Sequence, residues 1–520
     1  MESTPKVGAY VLETLTTGMY ANPLDSLREY IQNAADSIRK AIGQDIIHEE
    51  EGQIVVTIDR EKRSLSIADN GVGISYDEAY ARLVNIGMSN KRIEVDAGFR
   101  GIGRLAGIAY CDTIIFKTSR QGEKKASEIN IDCIGIRESI SPARREIEEL
   151  SDVMAKYCRL SSDDCKPGNH YFEVIMEGIH DEASIFLNSK DLEDYLCQVA
   201  PVKFDAQKFV FATKIRDWLK EHGISLPTVN LLIKDSNGLN RQVFKPFKKK
   251  YRTARSPKND EFDIEIKEVC FYPEGEQTEH LCWVWYGKSE LVGMISDPLA
   301  TGLRFKKNNI QVGGPEGPAA LFKQTANSNE RFNYYYIGEI HILSSRVIPN
   351  ARRDGFEDGG DWPVVKKELM PFIEDRCAEV RATSDARTRP VQKIAASANK
   401  IAQEAQEKVE LGIVSPEEKE KLIQQVQKEK KIAETAIDAR KGTVDEIKLA
   451  PIVKKLEKVE AELSKENNYV PSKLRTDLDR KQRRIIEDVL KILYDTLDEA
   501  TYRKAHAAIM ERFQNGKSED

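Results

Sequence analysis

The sequence contains no uncharged apolar run near the roughly 18 residues that a membrane span needs. It also has no Cys-x-x-Cys, no His-Glu-x-x-His and no Walker phosphate loop. A membrane-spanning protein is therefore not expected. The eight cysteines (Cys111, Cys133, Cys158, Cys165, Cys197, Cys270, Cys282 and Cys377) are scattered and the seven histidines dispersed. A zinc site is not expected, and reduced thiols in a cytoplasmic protein are the plain reading. The Gly-Lys-Ser at 287–289 has Cys282 where a Walker loop requires glycine, so it reads as a turn beside a strand. The first residues, MESTPKVGAYVLE, lack a basic start followed by an apolar core, so a secretory signal is not expected. The charge is balanced, with 79 basic and 85 acidic side chains and a net charge of -6. That excludes a chain-wide cationic surface for nucleic acid but leaves room for a local patch.

What is present points to several domains. At about 150 residues each, 520 residues suggest three or four. The composition changes near residue 385. Residues 381–520 hold 29 basic and 26 acidic side chains, four aromatics, three glycines and no tryptophan. The front of the chain reads as mixed α/β and the back as helical. Residues 10–42 and 139–158 read as helical. Hairpins are expected at 53–68, around Asp59-Arg60-Glu61-Lys62, and at 112–131. Further strands are expected at 170–177, 229–234, 262–271, 281–286 and 334–343. In the back third, Ile452, Leu456, Val459 and Leu463 are spaced 4-3-4, as are Ile486, Leu490, Leu493 and Leu497. Such seams are too short for a long coiled coil and read as a helical hairpin or bundle. Ser415-Pro416-Glu417-Glu418 reads as a helix start. Pro451 and Pro471 read as helix punctuation.

Three motifs carry chemistry. In NPLDSLREYIQNAADSIRKA (22–41), Glu29, Asn33 and Asp36 fall within about 60° of one another at 100° per residue. Leu24, Leu27, Ile31, Ala34 and Ile38 lie around the opposite side. One face can pack on a sheet while the other presents two carboxylates and an amide. Next, Asp69-Asn70-Gly71-Val72-Gly73 places an acid at a strand end before two glycines. That carboxylate can accept a hydrogen bond from an exocyclic amine such as that of adenine, and glycine admits close approach of a flat ring. Finally, Asn85-Ile86-Gly87-Met88-Ser89-Asn90-Lys91-Arg92 precedes Gly98-Phe99-Arg100-Gly101-Ile102-Gly103-Arg104-Leu105-Ala106-Gly107. A glycine-dense loop opening a helix exposes backbone N–H groups suited to phosphates.

Taken together in this order, the motifs resemble the GHKL ATPase superfamily, which includes gyrase, the ninety-kilodalton heat-shock chaperones, MutL and MORC proteins. The heat-shock chaperone branch looks nearest, on GMYANPLDSLREYIQNAADSIRKA, GFRGIGRLAGIAYCD and the later Val347-Ile348-Pro349-Asn350-Ala351-Arg352-Arg353-Asp354. The resemblance implies an α+β fold with an N-terminal Bergerat-type α/β sandwich (1–200), an α/β middle or transducer domain (201–384) and a helical C-terminal region (385–520) for dimerisation or partner docking. It implies ATP and Mg²⁺ as ligands. Glu29 would be the general base, Asn33 would bind Mg²⁺ and Asp36 would support the site. Asp69 would receive the adenine amine, and Gly71 and Gly73 would shape its pocket. Asn85, Gly87, Ser89, Lys91, Gly98, Arg100, Gly101 and Gly103 complete the implied nucleotide set. Arg353 would bring positive charge to the terminal phosphate, with Arg352 the alternative. Lys306 and Lys307 are weaker candidates, their ordinary reading being a solvated strand edge. The resemblance also implies ATP-driven closure of a homodimer on protein clients. A second reading is a MORC- or MutL-like clamp on DNA. It rests on residues 241–258, where eight basic residues interleave with Phe244, Phe247 and Tyr251.

Overall fold

The computed structural model describes residues 7–15, 22–86, 103–141, 148–236, 238–255, 260–274, 280–411, 416–438, 444–465 and 480–514. The chain divides into two compact units, residues 1–377 and 378–520.

The first unit is α+β. Its long helix begins at Pro23 because Asn22 caps it, the side-chain oxygen accepting the Leu24 N–H at 3.0 Å, and because proline suits the first helical position. The expected single helix over 10–42 is therefore a short turn at Val11–Leu15 and a separate helix Pro23–Gly43, with residues 16–21 outside the described set. Leu24, Leu27, Ile31, Ala34, Ile38 and Ala41 are all buried.

This helix packs on an eight-stranded sheet. The strands are β1 (Gln53–Asp59), β2 (Ser64–Asp69), β3 (Thr113–Ser119), β4 (Lys125–Asp132), β5 (Cys158–Asp164), β6 (Tyr171–Glu177), β7 (Asn230–Asp235) and β8 (Asn240–Val243). Their order is β5-β4-β3-β6-β2-β1-β7-β8. All pairs are antiparallel except β1 with β7. Alternation explains one buried face: Ile54, Val56 and Ile58 on β1 and Leu65 and Ile67 on β2 point into the core. The sheet runs past residue 200, since β7 and β8 complete it. Among the described residues of the stretch read as helical over 139–158, Ser139 ends a helix begun at Cys133 and a second helix runs Leu150–Tyr157, with β5 following; residues 142–147 lie outside the described set.

The rest of this unit holds a five-stranded sheet in the spatial order 268–272, 282–288, 337–342, 302–307 and 310–312. Strand Cys282–Lys288 is buried on both faces, with Trp283 and Trp285 at its centre. Gly287 and Lys288 lie inside this strand, so the Gly-Lys-Ser is not a phosphate loop. A helix at Ser189–Val199, capped by Asn188, lies between this sheet and the long helix.

Residues 241–255 are not a solvated cationic loop, and 256–258 lie outside the described residues. Phe247 and Tyr251 are buried, and Lys245 is buried against Glu339 at 2.5 Å. Strand Lys250–Arg255 lies antiparallel to Asp260–Glu265, which sets Lys250 opposite Glu265 and Arg252 opposite Asp263. Lys248 pairs with Asp297, Lys249 with Glu265 and Arg241 with Glu193. Phe247 and Tyr251 therefore offer no stacking faces, Phe244 is half-buried, and much of the positive charge is answered within the protein.

In the second unit, helices Val391–Leu411, Pro416–Asp438 and Val444–Leu463 form a three-helix bundle. Its core holds Ile394, Ala398, Ala402, Val426, Ala433, Leu449, Ile452, Leu456, Val459 and Leu463. Lys430, on the second of these helices, pairs with Glu460 at 2.5 Å. Pro451 does not punctuate: it lies within Val444–Leu463. An interior proline costs about 3 kcal/mol, offset here by burial of Leu449, Ile452 and Leu456 around it. Ser415 and Pro471 lie outside the described residues. Helices Arg480–Thr496 and Glu499–Gln514 form a final pair, with Leu490, Tyr502 and Met510 buried.

Candidate nucleotide site

The polar face of Pro23–Gly43 turns from the sheet toward two other segments. Glu29 is buried, and its Oε1 accepts the Arg353 Nε–H at 2.9 Å. Both side chains are under one-tenth exposed, 8% for Arg353 and 9% for Glu29. The other carboxylate oxygen lies against Gly103: a Cβ there would sit 2.3 Å from Oε2 and 2.7 Å from Cγ. Glycine at 103 thus makes room for the Glu29 carboxylate. Asn33, one turn on, is half-buried. Asp36 is buried and accepts Arg39 Nη2 at 2.9 Å.

Arg353 arrives 324 residues later in the chain, on a tight turn. Its N–H donates to the Asn350 carbonyl at 3.1 Å, the Asn350 N–H to Gly355 at 2.9 Å, and Pro349 bridges to Phe356. Arg353 itself is left-handed, with φ of 60°. That conformation is costly for a residue with a Cβ and persists where the surroundings over-determine it. Here two donors hold the Arg353 carbonyl: Arg28 Nη1 at 2.8 Å and the Gly313 N–H at 2.8 Å. Arg352, its neighbour, is exposed. Of the two arginines, only Arg353 reaches Glu29 among the contacts present.

Asp69 ends β2, buried, and one of its oxygens accepts the Gly71 N–H at 2.8 Å. That bond shapes the turn. Both glycines are demanded by the protein's own packing. A Cβ at Gly71 would lie 2.5 Å from the Ser37 carbonyl carbon, and one at Gly73 (φ of 64°) 1.9 Å from the Ser119 oxygen. His170 Nδ1 adds a contact to the Gly71 oxygen at 2.9 Å. Asn85 is exposed. Its carbonyl accepts from Arg104, whose Nε also donates to Leu83 at 2.8 Å. Burial pushes Arg104 down to about 10. Gly87, Ser89, Lys91, Gly98, Arg100 and Gly101 lie outside the described residues.

Lys306 and Lys307 are not a solvated edge. Lys306 is buried, 3.3 Å from Glu339, and donates to the Gln198 carbonyl. Burial brings it down to about 7. Lys307 donates to the Ser344 carbonyl, and burial brings it down to about 8. Neither is aimed at Glu29. Sequence reasoning missed Arg28, Gly313 and Tyr195. Their partners are remote in the chain, so no local pattern marks them.

The arrangement sets a carboxylate and an amide along one face of a helix, with a guanidinium on the carboxylate, beside an acid-ended strand and a turn built on glycines. Residues 22–158 match the family model described as histidine kinase-, DNA gyrase B- and HSP90-like ATPase. This segment is similar to the GHKL ATPases, on the side of the heat-shock chaperones. The chaperone protein HtpG of Methylibium petroleiphilum is 33% identical over 132 residues, covering 22% of this chain and 21% of the relative. HtpG of Acinetobacter baylyi is 31% identical over 132 residues, with the same coverage. HtpG of Escherichia coli O9:H4 is 29% identical over 132 residues. The chain thus spans about a fifth of the length of the curated relatives it matches. No helix among the described residues is long and apolar enough to cross a membrane. No disulfide joins the cysteines among those residues.

Proposed function

We propose that the first unit binds and hydrolyses ATP with Mg²⁺, and that hydrolysis works a clamp formed by two copies of the chain on protein clients. The observation that carries this reading is the buried contact between Glu29 and Arg353 at 2.9 Å. Phosphoryl transfer asks the protein for a group that orients the attacking water and for positive charge at the terminal phosphate. These two side chains supply one each. Their pairing holds the base and the arginine together. A phosphate entering the site competes with Glu29 for the guanidinium, and release of Glu29 leaves its carboxylate to take up a water proton.

Asp69 is the group for the adenine amine, and the backbone of the 98–103 loop is the group for phosphates. Asn33 fits Mg²⁺ as a neutral oxygen donor of the hard kind that ion takes, one helical turn from Glu29. When bound, Mg²⁺ would neutralise phosphate charge. Slow turnover and a switch-like use of ATP follow if Arg353 has to leave one partner for another. The homodimer, the protein clients and a cytoplasmic setting are carried over from the chaperone likeness. Three-part organisation at 1–200, 201–384 and 385–520 belongs to the same proposal. Titrating ATP into wild type and Glu29→Ala, with released phosphate measured alongside, tests the reading. Equal binding with hydrolysis only in wild type is the expected result.

A further inference from the structure

We propose that Arg28, Asp25 and Tyr195 form a positioning cluster that fixes Arg353 over Glu29, and that Tyr195 is the residue through which the helix Ser189–Val199 governs hydrolysis. This rests on the reading of Glu29 and Arg353 as the hydrolytic pair.

Arg28 sits beside Glu29 in the chain but 100° round the helix. It therefore meets the arginine loop from a different side. Three of its N–H directions are spent on three different partners. Nη1 donates to the Arg353 carbonyl at 2.8 Å, Nη2 to Asp25 Oδ1 at 2.9 Å and Nε to the Tyr195 hydroxyl at 3.2 Å. Tyr195 in turn donates to Asp25 Oδ1 at 3.1 Å, closing a ring of contacts. Burial raises the Tyr195 phenol above its ordinary range, so it stays a donor. Only a planar guanidinium spans three acceptors in this way, and an ammonium does not. Without the cluster, one of the two donors that hold the left-handed Arg353 is lost.

The same helix reaches the Arg353 carbonyl by a second route. Gln198, one turn beyond Tyr195, accepts Arg304 Nη1 at 2.5 Å through its side chain and Lys306 through its carbonyl. Arg304 and Lys306 lie on strand Gly302–Lys307, which pairs Phe305 with Val312. Val312 precedes Gly313, whose N–H is the other donor to Arg353. Both donors are thus tied to one helix. A displacement of that helix moves the arginine relative to its base without touching the adenine acceptor Asp69.

The test compares wild type, Tyr195→Phe, Arg28→Lys, Asp25→Asn and Glu29→Ala. Three quantities are measured: ATP affinity, single-turnover hydrolysis, and amide hydrogen exchange in the nucleotide-free protein. Tyr195→Phe keeps the ring and removes the hydroxyl. The expected result is a fall in hydrolysis of about ten- to a hundredfold, the scale of a misplaced reacting group, with ATP affinity within about twofold of wild type. The amides of Arg353 and Gly313 should exchange at least about tenfold faster, with Ser189–Val199 itself unchanged. Arg28→Lys should reproduce the defect despite its charge, and Asp25→Asn should fall between. Wild-type hydrolysis and exchange in Tyr195→Phe, with Glu29→Ala inactive, would overturn the inference and leave the underlying reading intact. Equal loss of ATP affinity and hydrolysis, with exchange raised throughout helix Ser189–Val199, would overturn it in favour of a merely structural role. If Glu29→Ala hydrolyses ATP like wild type, the underlying reading itself fails.

Discussion

Gly313→Ala is the substitution whose cost the structure lets one work out most fully. Gly313 has φ of 66°, and a Cβ there would lie 2.5 Å from the Asp354 oxygen and 3.1 Å from its carbonyl carbon. The left-handed backbone costs an L-residue about 1–2 kcal/mol. The clash is with backbone rather than a movable side chain, so the loop has to shift. That shift strains the 2.8 Å bond from the Gly313 N–H to the Arg353 carbonyl, a contact worth about 1 kcal/mol. Reduced freedom in the unfolded chain returns roughly 0.4–1 kcal/mol, leaving a net loss of about 2 kcal/mol. Gly314→Ala is the control. Its Cβ would meet only the movable end of Glu316, at 2.1 Å from Oε2, and should cost less than about 0.5 kcal/mol. Chemical denaturation measures both. Phosphate release should fall at least about tenfold in Gly313→Ala, with ATP binding kept. If Gly313→Ala is as stable as Gly314→Ala and hydrolyses normally, the account of the Arg353 loop is wrong.

Gly103→Ala should suppress hydrolysis while leaving ATP binding in place, because its Cβ would displace the Glu29 carboxylate 2.3 Å away; wild-type turnover would refute this. Lys307 is brought down to about 8 by burial. Below about pH 8 the folded protein carries this buried charge. Between about 8 and 10.5 the unfolded chain holds the proton more tightly, so the Lys307 contribution to stability rises with pH across that window. The unfolding free energy of wild type relative to Lys307→Met should therefore increase from pH 8 to pH 10, and a flat difference would count against it. Replacing Lys248, Lys249 and Lys250 by glutamine should leave duplex DNA affinity unchanged at every salt concentration. A salt-dependent affinity lost in that variant would revive the DNA reading.

Features with a short period were legible in the sequence. The face Glu29-Asn33-Asp36 follows from helical spacing alone, and the β1–β2 hairpin from alternation. Arg353 was legible only through its neighbours Val347–Asp354, and its choice over Arg352 needed the turn that buries one and exposes the other. Strand β5 was not legible because six of its seven residues are exposed and carry no apolar alternation. The segment 241–258 looked cationic because its acidic partners, Glu265 and Asp297, come later in the chain. Arg28 and Tyr195 were silent for a similar reason: their decisive contacts span 325 and 167 residues. Pro451 looked like a boundary, but the packing around it outweighs its missing N–H.

The most direct measurement is phosphate release from ATP and Mg²⁺ by wild type, Glu29→Ala and Arg353→Ala, with ATP affinity determined on the same preparations. Wild type should turn over slowly. Both variants should bind ATP with near wild-type affinity. Glu29→Ala should lose about a hundred- to ten-thousandfold in rate, and Arg353→Ala should also lose hydrolysis. Unchanged hydrolysis in Glu29→Ala, or a wild type that binds ATP and never hydrolyses it, would contradict the pairing of Glu29 and Arg353 as base and phosphate-directed charge.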